Sequence, residues 1–243
     1  MVAGIIQARI GSTRLPGKVM MHIEQKPMLF HVIDRVKRCG LLDSIIIATT
    51  TNEEDAAIID LAKNEKVGYF KGPQEDVLAR FYLAAKECKA DVIVRITADC
   101  PLLDPFRIDS VIARLQEEDC DYINPDRNFS LLPRGIRAEA FTFRALEKTY
   151  QQADKKSDRE HVTTFMQKNK QLFKYGWLEG KSAYQKPELR FVVDEYADLC
   201  FIKEIYSRLY KAGSIVSLDE VFGLLEKEPS LVGINKHILQ KEV

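Results

Sequence analysis

Apolar residues in the first hundred positions switch repeatedly between two spacings. Short apolar runs at 3–7, 44–50, 67–70 and 91–99 predict buried strands. Between them, apolar positions recur every three or four residues, as on one face of a helix. Met28, Leu29, Val32, Ile33 and Val36 mark the first such face. Ala56, Ile59 and Ala62 mark a second over 53–63, and Val77, Leu78, Phe81 and Ala85 a third over 76–86. Strands alternating with helices imply crossover connections and a doubly wound, mostly parallel α/β sheet covered on both faces. Ligands of such sheets lie beyond the carboxyl ends of the strands. The loop 7–18 and Asp99 both fall at those ends.

The later chain is less regular. Ile108, Val111, Ile112 and Leu115 give another helix, but 121–143 breaks the alternation with the turn-rich "NPDRN" and "LLPRG" before a strand at 138–143. Helices are expected around 144–150 and 159–168, then a strand at 173–178. "LRFVVDEYADL" reads as a last core strand ending at Asp194, followed by a helix bearing Ile202, Ile205, Tyr206 and Leu209. Ser217 and Glu220 form a capping box for a final helix stopped by Pro229. The expectation is a single domain over 1–243 with a small inserted α+β lobe at about 125–180.

The 243 residues are 46% hydrophobic, enough for a sizeable core, and acids and bases balance at 36 each. That balance argues against a general nucleic-acid binder. Five cysteines, odd in number and without C-x-x-C spacing, read as reduced and structural. No apolar run is long enough to span a bilayer, so a soluble, cytoplasmic protein is expected, with neither nucleic acid nor membrane as partner.

Against this neutral background, "IIQARIGSTRLPGKVM" gathers Arg9, Arg14 and Lys18 in one loop after the first strand. Glycine there admits a close ligand, free N–H groups face inward and cations neutralise charge, so phosphates are often held at this place. The loop is not a P-loop. Five residues rather than four separate Gly11 from Gly17, and Val19 follows the lysine where Ser or Thr would be needed. The residues alone leave a phosphate grip and a solvated turn both open.

"QARIGSTRLPGKVM…KPMLFHVIDRV" resembles the signature of the sugar-activating cytidylyltransferases, which include the 3-deoxy-manno-octulosonate and acylneuraminate cytidylyltransferases. The likeness is greatest to the spore-coat polysaccharide biosynthesis protein F group. "GPQEDVLARFYLAA", "DVIVRITADCPLLDP", "DREHV" and "LRFVVDEYADL" resemble later blocks of that group in the same order, across nearly the whole chain. The resemblance implies transfer of a nucleoside monophosphate from an NTP, CTP in this family, to an acidic or phosphorylated sugar, with release of pyrophosphate.

On that reading Lys18, Arg14 and Arg9 are the catalytic cations, stabilising charge that builds on pyrophosphate. Arg9 serves this pocket or pairs with an acid at the sheet end. Gln7, Ala8, Gly11, Ser12 and Thr13 line the nucleotide side of the turn, and Gln74, Asp76 and Arg80 lie beside base and ribose. The resemblance assigns Mg²⁺ to Asp99 and Asp194. An Asp at a strand end can equally cap the next helix, and Asp104 is expected to open the helix after Pro105. Arg134, Glu139, Arg159, Glu160 and His161 are the acceptor-binding set. His161 is either a general base or a hydrogen-bonded structural residue. Arg137 stands where relatives often carry an acid, so acceptor specificity does not carry over. Related enzymes dimerise through an arm outside the sheet, and the "FTF" segment with Phe165, Phe173, Tyr175 and Trp177 offers apolar surface for a homodimer or for a small core. The rival readings are a nucleotide-sugar-dependent glycosyltransferase and a non-catalytic nucleotide-binding scaffold.

Overall fold

The structure, a computed structural model, describes residues 1–124, 131–179 and 181–239. Residues 125–128 of the "NPDRN" turn, at the start of the expected lobe, lie outside the described residues. The strands are β1 (Val2–Gln7), β2 (His22–Ile23), β3 (Lys26–Pro27), β4 (Ser44–Thr50), β5 (Gly68–Gly72), β6 (Val92–Thr97), β7 (Tyr122–Asn124), β8 (Glu139–Thr142) and β9 (Tyr175–Trp177). The helices are α1 (Met28–Val36), α2 (Ala56–Asn64), α3 (Val77–Glu87), α4 (Pro105–Glu117), α5 (Phe143–Gln152), α6 (Lys156–Glu160), α7 (Thr164–Lys168), α8 (Tyr196–Leu209) and α9 (Leu218–Lys227).

Seven strands form one sheet in the order β5-β4-β1-β6-β8-β7-β9, while β2 and β3 make a separate hairpin. β5, β4, β1 and β6 are mutually parallel, β8 is antiparallel to β6 and β7, and β9 runs parallel to β7. From β1 the chain winds outward through β4 to β5, then returns by α3 to place β6 on the other side of β1. The winding direction therefore reverses between β1 and β6, which opens a crevice at their carboxyl ends.

Strand residues feed two cores in alternation. Val2, Ile6 and Val94 enter the larger core, with α1, α4, α8 and α9. Ala3, Ile5 and Ile93 enter the other, with α3 and α5. A strand covered on both faces must be apolar at every position, which explains the unbroken apolar runs. The predicted α1 face, Met28, Leu29, Val32, Ile33 and Val36, is fully buried. Phe141 of the "FTF" segment and Phe173 also go into the second core. The five cysteines are free thiols, and among the described residues no helix is long and apolar enough to cross a membrane.

Two expected elements differ. The helix expected over 159–168 is interrupted, because Val162 adopts a left-handed φ of 57° between α6 and α7. The expected last core strand is extended backbone that never joins the sheet. Phe191 N–H instead donates to Arg134 O (2.8 Å) and Val193 N–H to Asp99 O (2.9 Å), so the segment lies across the strand ends. Gly135 permits this crossing: its φ is 95°, and a Cβ there would stand 2.5 Å from the Phe191 carbonyl carbon. Gly135→Ala is therefore expected to destabilise the fold by about 2 kcal/mol or more, from left-handed strain alone of about 1–2 kcal/mol plus the backbone clash. Urea denaturation measures it, and an unchanged midpoint would show that the crossing relaxes freely.

Candidate active site

The cationic loop is shaped by a buried acid outside it. Asp55, fully buried, accepts from Ile10 N–H (2.7 Å), Thr49 Oγ1 (2.9 Å) and Thr50 N–H (3.0 Å), tying the loop base to the end of β4. Burial raises the Asp55 pKa, but the Thr50 hydroxyl (2.5 Å) and these other donors outweigh it and hold the carboxyl below 3.8. Gly17 closes the loop by donating to Ile10 O (3.0 Å) with φ 71°, a conformation glycine adopts without steric cost. Leu15 and Val19 are buried on either side, and Lys18 between them points into the crevice.

Lys18 Nζ donates to Asp99 Oδ2 (2.8 Å), Val193 O (2.7 Å) and Asp194 Oδ1 (3.0 Å). All three ammonium protons are used. Burial lowers the Lys18 pKa, yet Asp99 and Asp194 together hold it above 10.5. Arg14 reaches Asp194 Oδ1 (2.8 Å) and Arg190 reaches Asp194 Oδ2 (2.6 Å). Burial raises the Asp194 pKa, but Lys18, Arg14 and Arg190 draw it below 3.8.

A further layer orients this acid. Arg190 Nε donates to Asp198 Oδ1 (3.0 Å), and Asp198 Oδ2 accepts the N–H groups of Asp194 and Glu195 (3.0 Å each). Glu195 and Asp198 form the capping box of α8, so Asp194 itself does not cap the helix. Asp104, in contrast, caps α4 by accepting from Phe106 N–H. Buried Asn235 donates to both Arg190 O and Asp198 Oδ1 (3.0 Å each), bringing the C-terminal segment into the arrangement.

Two adjoining cavities meet at this cluster. The first, of 470 Å³, is lined by Gln7, Ala8, Arg9, Ser12, Thr13, Arg14 and Lys18 of the loop, with Arg80, Asp99, Glu160, His161 and Asp194 opposite. Arg80 is almost fully buried, and burial beside Arg9 lowers its pKa to about 10. The second cavity, of 440 Å³, is lined by Arg95, Arg134, Arg137, Glu139, Thr163 and Gln167, and shares Thr97, His161 and Asp194 with the first. Gly11, Gln74, Asp76 and Arg159 line neither. Asp76 instead caps α3 and pairs with Arg159 (2.6 Å), while Gln74 accepts from Asn52.

Sequence reading missed the support of Glu139. This buried carboxylate accepts from Arg95 (3.1 Å), Gln167 (2.8 Å), Thr163 and the Tyr122 phenol. Burial next to Glu139 pushes the Tyr122 pKa well above 10. The available signal was Arg95, one charge inside the apolar run "DVIVRIT"; Arg190 in "LRFVV" is another. A charge inside a buried run needs a partner. Asn235 gave no comparable signal.

The donor chemistry suits a hard cation. Asp99 and Asp194 converge on one ammonium, and among the described residues Asp99 Oδ1 has only the Cys100 thiol at 3.5 Å. Mg²⁺ bound with phosphates takes one or two protein carboxylates and keeps several waters. No group of three or more His, Cys, Asp or Glu side chains that could hold a metal occurs among the described residues, so an all-protein cage is not what this set provides.

A cytidylyltransferase family profile matches residues 3–220. An uncharacterised protein of Methanocaldococcus jannaschii is 38% identical over 242 residues, covering 99% of this chain and 96% of that protein. The spore coat polysaccharide biosynthesis protein SpsF of Bacillus subtilis is 32% identical over 236 residues, covering 93% of this chain and 94% of that protein. The solved structure of a cytidylyltransferase from Leptospira borgpetersenii superposes with a TM-score of 0.88 at 26% identity, covering 99% of each chain.

Asn235 lies beyond the matched residues, yet it holds Arg190 and Asp198. Asn235→Ala is expected to lower unfolding free energy by about 1–3 kcal/mol, since it strips a donor from buried acceptors. Chemical denaturation tests this, and an unchanged value would make the contact dispensable. Asp194 fixes a pH limb. Its folded pKa lies below 3.8, so its contribution is present above pH 3.8 and is lost as pH falls through the depressed value. Acid unfolding should be shallower in Asp194→Asn than in the parent.

Proposed function

The chain belongs to the cytidylyltransferase family and is a nucleotidyltransferase, and from that premise we propose that it transfers CMP from CTP to a sugar acid or sugar phosphate. Pyrophosphate is the second product. The observation that carries this reading is Lys18, held between Asp99 and Asp194 at the crevice where the sheet reverses direction. The likeness to SpsF supports a role in making surface polysaccharide or another glycan.

CTP fits the first cavity, with its triphosphate against the loop and its base towards Gln7 and Arg80. Arg9, Arg14 and Lys18 face that cavity, where fixed donors stabilise charge on a leaving group better than reorienting water does. Asp55 fixes the loop backbone beneath them, and Asp99 and Asp194 hold Arg14 and Lys18 in position before the nucleotide arrives. Asp99 and Asp194 would hold Mg²⁺. When bound, the ion neutralises phosphate charge and binds the phosphate oxygens.

The sugar fits the second cavity, which opens onto the first at Thr97, His161 and Asp194. Arg134 and Arg137 there suit a carboxylate or phosphate, which a guanidinium can grip with two parallel hydrogen bonds. Burial lowers the Arg134 pKa, as do Arg137 and Arg190 nearby, so an arriving anion would relieve crowding among like charges. The two joined cavities and the free-triphosphate grip favour nucleotidyl transfer over the glycosyltransferase and scaffold readings.

Pyrophosphate release with each NTP, Mg²⁺ and a panel of sugar acids and sugar phosphates tests the proposal. Release that needs both CTP and an acceptor is expected, and release of a nucleoside diphosphate from a nucleotide sugar would reject it. Lys18→Ala should lower turnover about 10²–10³-fold, as loss of one charge-stabilising donor typically does. A near-normal rate would remove Lys18 from the mechanism. Asp99→Asn should weaken metal-dependent turnover more than it lowers the melting temperature, and an equal loss of both would give Asp99 a structural role.

A further inference from the structure

His161 stands where the two cavities join and lines both. A histidine buried for packing is normally hydrogen-bonded through its ring, as buried His31 is to Ile23 O (2.7 Å). This imidazole makes no hydrogen bond among the described residues. Its backbone is nevertheless fixed on both sides: His161 N–H donates to Ser157 O (3.1 Å), and Thr163 N–H donates to His161 O (2.6 Å). Thr163 is itself locked by its hydroxyl onto Glu139 (3.1 Å). Between them Val162, fully buried, adopts φ 57°. A β-branched residue in the left-handed region is strained, and such strain persists only where its surroundings enforce it. The fold thus breaks a helix at this point and leaves a ring that no described residue ties down facing the joint between the cavities.

We propose that His161 is a catalytic residue that takes the proton from a hydroxyl of the acceptor sugar, so that the nucleophile is a neutral O–H group rather than a phosphate oxygen. The inference rests on the transferase reading above. The hydroxyl oxygen bonds to the α-phosphorus of CTP. The bond from that phosphorus to the oxygen bridging it to the β-phosphorus breaks, and its electron pair leaves with pyrophosphate. The hydroxyl proton passes to the unprotonated ring nitrogen of His161 and from there to water. A phosphate nucleophile is already anionic at neutral pH and would give a neutral base nothing to do. Arg134 and Arg137 remain for the acid group of the same sugar.

The charges around the ring agree with this role. Burial lowers the His161 pKa below 6.5; Arg95 and Lys168 lower it further, while Glu160 and Asp158 act in the opposite direction. Asp194 faces the same joint from across the cleft. The ring is therefore in its neutral, proton-accepting form at pH 7.

The test is steady-state pyrophosphate release by the full chain with CTP and Mg²⁺, run from about pH 5 to 9. Sugar acids that offer a hydroxyl are compared with sugar 1-phosphates, in the parent, His161→Gln and His161→Ala. Expected are turnover with hydroxyl acceptors, an acid limb below pH 6.5 in the parent, and loss of that limb in His161→Gln. In that variant kcat should fall about 10²–10⁴-fold, as loss of a general base does, while the KM for CTP stays near the parent value. Added imidazole should restore part of the His161→Ala rate, which a packing role would not allow. An acid limb retained in His161→Gln, or an unchanged kcat, overturns the inference. So does exclusive use of sugar phosphates by the parent, a readout that needs no variant to fold. Those results leave the transferase reading standing. Absence of pyrophosphate release from the parent with every acceptor rejects that reading, and this inference with it.

Discussion

One ammonium holds the crevice together. Lys18 would be costly to bury alone, and Asp99 and Asp194 would repel each other without it; together they satisfy one another within hydrogen-bond distance. The three residues come from separate parts of the chain: the loop after β1, the end of β6 and the segment before α8. Their pairing closes the crevice floor, and Arg14 and Arg190 complete the charge balance on Asp194. The Lys18–Asp194 contact is the buried half of this arrangement, and breaking a buried pair by removing one partner typically costs about 3–5 kcal/mol. A ligand entering here exchanges partners inside a charge network that is already ordered.

The two cavities differ in how their walls are held. The wall of the first cavity is the cationic loop, fixed from below by Asp55 and above by Lys18. The other wall rests on β8, where Glu139 collects hydrogen bonds from Arg95, Tyr122, Thr163 and Gln167. These donors arrive from β6, β7, the turn into α7 and α7 itself, so this wall is braced by side chains rather than by a loop. The antiparallel entry of β8 beside β6 makes this arrangement available, because it brings a strand from the irregular part of the chain into the main sheet.

Much of the sheet was legible because strands covered on both faces must be apolar throughout, and the α1 and α3 faces were legible from their spacing. The loop that lines the first cavity was legible from three cations grouped in a neutral chain. What escaped depended on distant partners. The segment at 190–194 has the composition of a strand, but Gly135 brings it against a loop instead, and no local pattern reports that. The helix expected over 159–168 has adequate propensity throughout, yet a left-handed Val162 interrupts it. Gln74 and Asp76 lie in the block that resembles the family, but helix capping and pairing with Arg159 and Asn52 occupy them. Asn235 carries nothing in its neighbours to suggest that it reaches Asp198.

The cluster joins residues that are far apart in the chain: Lys18 lies 176 positions before Asp194, and Asn235 sits near the C-terminal end. Contacts of such separation are paid for late in folding, after shorter loops have closed. During synthesis β1, β4, β5 and β6 can pair while the ribosome still holds most of the second half, since domains generally assemble from the N-terminal side. The unfinished chain at that stage offers Lys18 only Asp99, since Val193 and Asp194 have not yet been made. The charge cluster around Lys18 is therefore completed only once residues 190–194 have been made, and a product cut short before them would keep those four strands without the Val193 and Asp194 contacts.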